Sequence, residues 1–331
     1  MLKRSHSVAC FVATLILIAF PAVGFAQPSW KPDKNVEIIV GAGPGAAADA
    51  TGRMMQRILL ERKLVQSSVT VSNRPGAGYA VAWIYMNSHP GDGHYIAPTA
   101  LSLVTNSITG ANPLTYADVT PIAQLFTDYV VHAVLAESPI KDAKDLIERL
   151  RRDPASLSIA LAAARGNQNH LATGLAMRAA GGVDIKSMKI VIFDSSAMSM
   201  TALLGGHVDV VAATALNVLP HLKTGRIRVI AISSPERLRG ELAGIPTWKE
   251  QGVNAVFNNW RGVIGPRGLS AAQVAFWEEA LANVVATEEW KKGLEKNYLT
   301  HNFMKSRESR KFLEEETAKI TAVLTDLGLA K

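Results

Sequence analysis

The stretch richest in potential chemistry is Gly41-Ala-Gly-Pro-Gly-Ala-Ala-Ala-Asp49. An apolar run, Val36-Glu-Ile-Ile-Val40, precedes it and reads as a buried strand. A helical pattern follows from Thr51 to Leu60, with Met54, Met55, Ile58 and Leu59 on one face. Strand, Gly-rich turn and helix N-terminus together make an anion cradle, in which backbone N–H groups and the helix dipole point at the same spot. The donors would come from Ala42, Gly43, Gly45, Ala46 and Ala47. Two anions suit such a cradle. One is the pyrophosphate of a nucleotide cofactor, since Gly41-x-Gly43-x-x-Ala46 satisfies the dinucleotide spacing. The other is the carboxylate of a small molecule. Asp49 fits a capping role better than ligand contact, because its carboxylate would repel a bound one.

Other side chains extend the picture. Arg165 and Arg261 are the candidates for a charge-assisted clamp on a second carboxylate; the alternative for each is a surface or interdomain ion pair. His170 sits in the first turn of an expected helix, where it could bond a ligand or serve structure. No His, Asp or Glu cluster has metal-ligand spacing, and no Gly-x-Ser-x-Gly elbow supports hydrolase chemistry. Neither a metal nor a cofactor is expected.

These residues need a scaffold, and apolar runs alternating with amphipathic segments supply one. Strands are expected at Ser68–Ser72, Tyr95–Ala97, Leu157–Ala163, Lys189–Phe193, Val208–Ala212, Ile227–Ile232 and around Phe257–Ile264. Phe126–Leu135 is a long β-branched run. Helices are expected at Tyr79–Asn87, from Ser138-Pro onward, and over Asn169–Ala180, Ala271–Val285 and Ser309–Leu327. This rhythm predicts an α/β protein with parallel sheets covered by helices on both faces. No low-complexity linker separates two halves. One domain inserted into the other, joined by crossing segments near Asp128–Val131 and Ala231–Ser234, fits better and places a ligand site between the domains.

The ends and the composition narrow the class. Lys3 and Arg4, the apolar run Val8–Phe25 and the small residues of Gly24-Phe-Ala26 predict a secretory signal peptide over residues 1–26. Cys10, the one cysteine in the chain, would leave with it, so the exported protein has neither disulfides nor a thiol nucleophile. Net charge is +7, or +5 without Lys3 and Arg4. The cations are scattered beside acids, as in Lys141-Asp-Ala-Lys-Asp145, so no nucleic-acid partner is expected. A mild positive balance favours a small anion.

In its order of motifs the chain resembles the periplasmic substrate-binding proteins of tripartite tricarboxylate transporters, the Bug-type receptors. The pieces are Val40–Asp49, Asn73-Arg-Pro-Gly-Ala-Gly78, Pro90-Gly-Asp-Gly93, Gly166-Asn-Gln-Asn-His-Leu171, Leu203-Leu-Gly-Gly-His-Val-Asp209, Asn259-Trp-Arg-Gly262 and Gly265-Pro-Arg-Gly268. The resemblance runs from about Val36 to the C-terminus. It implies a type II periplasmic flytrap of two doubly wound, Rossmann-like domains joined by two crossing strands, with no catalysis. On this reading residues 27–129 plus 233–331 form one domain and 130–232 the other. It also implies that two loops hold the ligand carboxylate, Gly41–Asp49 and Ala162–His170, which adds Ala163, Gly166 and Asn167 to the site, and Ser102 at a strand end. The expected ligand is a di- or tricarboxylate or an aromatic carboxylate, delivered to integral-membrane transporter subunits from the periplasm.

Departures from the family pattern concentrate in those loops. Ala42, Ala46 and Ala48 stand where an aromatic, a glycine and a small hydroxyl residue are usual, and Ala162 and Ala163 where serines are common. Alanine keeps its N–H, so an anion site is expected to persist with altered specificity. Two other classes stay open. A sensor-type binding module would use the same cleft. A Rossmann-type cofactor enzyme would use the Gly-rich loop, although no acidic residue closes the second strand, which ends Val71-Ser-Asn73.

Overall fold

The computed structural model describes residues 30–162 and 164–331. The expected signal peptide, Cys10 and the expected ligand residue Ala163 lie outside the described residues. The chain opens with β1 (Val36–Val40), α1 (Ala47–Glu61), β2 (Val69–Asn73), α2 (Ala80–Asn87), β3 (Tyr95–Ala100), α3 (Ser102–Ile108) and β4 (Thr120–Asp128). It continues with β5 (Val130–Leu135), α4 (Ala143–Arg152), β6 (Ser158–Ala162), α5 (Gln168–Ala180), β7 (Lys189–Phe193), α6 (Ser196–Leu204), β8 (Val210–Thr214), α7 (Ala215–Lys223) and β9 (Ile227–Ile232). It closes with β10 (Asn259–Gly265), α8 (Ala271–Ala286), α9 (Glu288–Lys296), β11 (Thr300–Lys305) and α10 (Ser306–Asp326).

Two sheets result, with orders β11-β4-β10-β3-β1-β2 and β7-β6-β8-β5-β9. Both follow one plan. The first three strands of each unit pair in parallel, and the strand that arrives from the other sheet is inserted antiparallel between the third and fourth. The all-parallel expectation therefore holds only for part of each sheet, because a strand crossing between domains enters running the opposite way. The run Phe126–Leu135 is likewise two strands: it breaks at Tyr129, with β4 in one sheet and β5 in the other. β11 carried no apolar run, being a half-exposed edge strand.

Packing follows the sequence periodicity. Met55, Ile58 and Leu59 of α1 are buried against Val36, Ile38 and Val40, together with Trp277, Leu281 and Trp290 of the C-terminal helices. Val131, Ala133, Val211, Leu203 and Val218 form a separate core in the second domain. A third cluster spans both domains, joining Trp83 and Trp260 to Leu171, Ala172, Val323 and Leu324. Trp260 is wholly buried, edge-on to Phe312.

The crossings are tied together by Ser233. Its N–H donates to the Val130 carbonyl at 2.9 Å, and its hydroxyl accepts the Val130 N–H at 3.0 Å and donates to the Phe257 carbonyl at 2.9 Å. Between Ser234 and Phe257 the chain packs on the second sheet, with Thr247 bridging Ile232 and the Gln251 amide donating to the Ile230 carbonyl at 2.9 Å.

Candidate functional site

The carboxyl ends of the parallel strands are where open α/β sheets place ligands, and a cleft of about 440 Å³ lies there between the domains. The first domain lines it with Tyr79, Ser102, Asn106 and Arg261, among others, and the second with Ala164 to Gln168. Two of the lining side chains are cations, Arg165 and Arg261, and none is a carboxylate.

Arg261 reaches the cleft because β10 runs antiparallel, so its N-terminal residues sit at the carboxyl end of β3. Arg261 pairs with Ala100 on one side and Phe126 on the other. Its Nη1 donates to the Asn259 side-chain oxygen at 2.9 Å and the Trp260 carbonyl at 2.8 Å, which holds the guanidinium along its own strand. Opposite Asn259 stands Asp128, whose carboxyl burial pushes above the usual range against the pull of Arg261. The Ser102 hydroxyl is buried without a partner at the start of α3.

Arg165 is exposed and, among the described residues, makes no ion pair. The loop around it is braced from within. Asn167 caps α5, its side-chain oxygen accepting the N–H groups of Asn169 and His170 at 3.1 and 3.0 Å, while its amide donates to the Ala162 carbonyl. The Gly166 N–H donates to His170 Nδ1 at 3.0 Å, and the other ring nitrogen of His170 is buried without a partner. Burial, with help from the Arg165 charge, pulls the His170 pKa down to about 4, so the ring is neutral and can accept. Arg165 and Gly166 thus face the cleft, whereas the side chains of Asn167 and His170 hold the loop's shape.

The Gly41–Asp49 loop does not line this cleft. Asp49 is buried and accepts the Gly45 N–H, Arg53 Nε and Asn73 Nδ2, each at 2.9 Å. The Arg53 and Gly45 hydrogen bonds hold its pKa down to about 2. The Ala46 N–H donates to the Gly43 carbonyl at 3.2 Å, and the Ala42 carbonyl accepts from Asn73 at 2.8 Å. The reading of this loop as a pyrophosphate cradle needs open donors, and those of Gly45 and Ala46 are spent inside it. Ala47 begins α1 at the exposed rim. Arg74 braces the neighbouring turn, its guanidinium 3.4 Å above the Tyr85 ring.

Among the cleft residues that sequence reasoning passed over are Tyr79, Asn106 and Asn259. Asn259 adjoins the recognised Trp-Arg-Gly. Asn106 had no sequence signal, because only the fold of α3 turns it inward. For Tyr79 the signal was its position directly after Gly76-Ala-Gly78.

Two α/β domains of shared topology, crossed by paired strands and enclosing a cation-lined cleft, define a two-domain solute-binding protein. Residues 53–329 match the tripartite tricarboxylate transporter family receptor, TctC, and the chain belongs to that family. It is 26% identical to a UPF0065 protein of Cupriavidus necator, over 100% of this chain and 99% of that one. It shares its fold with a TctC solute-binding protein from Polaromonas (TM-score 0.77, 23% identity, 89% of this chain and 99% of that one). The same holds for an R. palustris protein solved with adipate (TM-score 0.71, 24% identity, 90% and 99%). The family is one of solute receptors. Among the described residues, no helix is long and apolar enough to cross a membrane, and no His, Cys, Asp or Glu side chains group as a metal site.

Proposed function

We propose that the chain is a periplasmic receptor that closes its domains on a small organic dianion and delivers it to membrane subunits of a tripartite tricarboxylate-type transporter. The observation that carries this reading is the lining of the cleft: one guanidinium from each domain and no carboxylate. A ligand with two carboxylates would touch Arg261 from the first domain and Arg165 from the second, so its binding energy favours the closed arrangement. Ser102, at the start of α3, lines the same space. The adipate held by a protein of the same fold supports a dicarboxylate. The domains would turn about the two crossings, near Asp128–Val130 and Ile232–Ser234.

A thermal-shift screen of the exported protein against organic anions tests this, because a ligand that binds only the folded state raises its transition. Arg165→Ala and Arg261→Ala should each weaken the best dianion by roughly tenfold or more, the scale of one charge-assisted contact. If only neutral or cationic solutes shift the transition, the receptor is not one for anions. If both variants bind the dianion as tightly as the parent, the two-arginine clamp is not how it is held.

A further inference from the structure

Gly76, Ala77, Gly78 and Tyr79 all have positive φ, at 135°, 44°, 59° and 76°. For glycine this is routine. For a tyrosine it is a true outlier, since the left-handed region brings Cβ against the following carbonyl. Such conformations persist where surroundings over-determine them, and they cluster at functional sites. Here the surroundings are explicit. From α3, Asn106 Nδ2 donates to the Gly78 carbonyl at 3.1 Å and the Ala77 carbonyl at 3.4 Å. From the other side, Gly41 lies so close that a Cβ on it would fall 2.5 Å from Tyr79 Cδ1 and 2.7 Å from its Cα. The Tyr79 ring stacks on the buried Trp83 with centroids 5.6 Å apart and planes at 17°.

The consequence is positional. Had residue 79 been right-handed, it would simply have continued into α2. The left-handed turn throws the ring sideways, over Gly41 and against the first loop, while the same residue lines the cleft. The ring thus stands where the cleft meets the Gly41–Asp49 loop at the carboxyl end of β1.

We propose that Tyr79 is a specificity-determining residue: its ring closes the cleft on the side of the Gly41 loop and so limits the length of the organic dianion accepted between Arg165 and Arg261. The inference rests on the anion-receptor reading above. With the ring gone, space opens toward Gly41 and Ala42, and a longer or bulkier ligand can extend there.

The test uses the full exported protein and a series of straight-chain dicarboxylates of increasing length, with affinities measured by calorimetry. Tyr79→Gly, which also accepts the left-handed backbone, should shift the ratio of long-chain to short-chain affinity by about tenfold or more toward the longer ligands. Tyr79→Ala should give the same direction of change, and covers the case in which the glycine variant folds poorly. Tyr79→Phe should keep the parental preference, because the ring's shape is retained. Unchanged length preference in both truncated variants, with the dianion still bound, overturns the role of Tyr79 and leaves the receptor reading standing. Absence of dianion binding in the parent and every variant overturns both.

Discussion

At the scale of single residues, the polar side chains in the two recognised loops mostly serve the loops themselves. Asp49, Asn167 and His170 each accept backbone N–H groups, with Asp49 held charged and His170 held neutral, the states that let those two do so. That leaves Arg165 and Arg261 as the charged groups facing the cleft. His170 makes a sharp case for pH dependence. Its folded-state pKa, about 4, lies below the ordinary 6.5, so between those values the unfolded chain takes up a proton that the native ring refuses. Stability contributed by neutral His170 is therefore full above about pH 6.5 and declines as pH falls toward 4. Comparing the parent with His170→Gln by denaturant unfolding across this range should show the parent losing on the order of 2–3 kcal/mol more than the variant. His132, buried and neutral, titrates lower still and is common to both proteins, so it drops out of the difference. Parallel pH profiles would show that His170 is not the responsible group.

At the scale of elements, β10 carries the site. It is the strand that returns from the second domain, and its antiparallel insertion is what presents Arg261 at the cleft end of a parallel sheet. Its neighbour Gly262 has no room for a side chain. A Cβ there would meet the Ala123 carbonyl oxygen at 2.6 Å and the Gln124 side chain at 2.8 Å, and a sheet backbone cannot step aside. Gly262→Ala should cost about 1–3 kcal/mol, the usual range for overpacking. It should also weaken dianion binding, because strand displacement moves Arg261. Calorimetric melting and a binding isotherm on the same sample would check both. Full stability in the variant would mean that β4 yields more easily than this contact implies.

At the scale of the whole molecule, the domains are joined by more than two strands. The C-terminal helix α10 packs on β4 and α3 of the first domain, yet Arg178 of α5 pairs with Asp326 at 2.7 Å, and Gly174 of α5 leaves space for Leu327. Any change in domain angle has to carry these contacts along or slide across them. The crossing itself depends on Ser233, which bonds both Val130 and Phe257 in a fully buried setting. Ser233→Ala strands the Val130 N–H and one acceptor, and should destabilise the protein by about 1–3 kcal/mol in equilibrium unfolding. A change within experimental scatter would show that the crossing holds without it.

The sequence by itself determined the layers, the two-domain α/β architecture and the family. Periodicity is local, and the apolar faces of β1, α1, β6, α5 and α8 report burial wherever the chain later places them. It also singled out Arg165 and Arg261, both of which line the cleft. Tertiary structure decided the rest. Whether an N–H in a Gly-rich loop is open to a ligand depends on partners elsewhere: Asn73 and Asp49 brace one loop from separate elements. The direction of β5 and β10 follows from crossing between sheets, which no local pattern encodes. The placing of the Tyr79 ring, which lines the cleft and packs on Gly41, follows from one left-handed residue. Its conformation is set by Asn106 and Gly41, residues distant in sequence that meet it only in the folded protein.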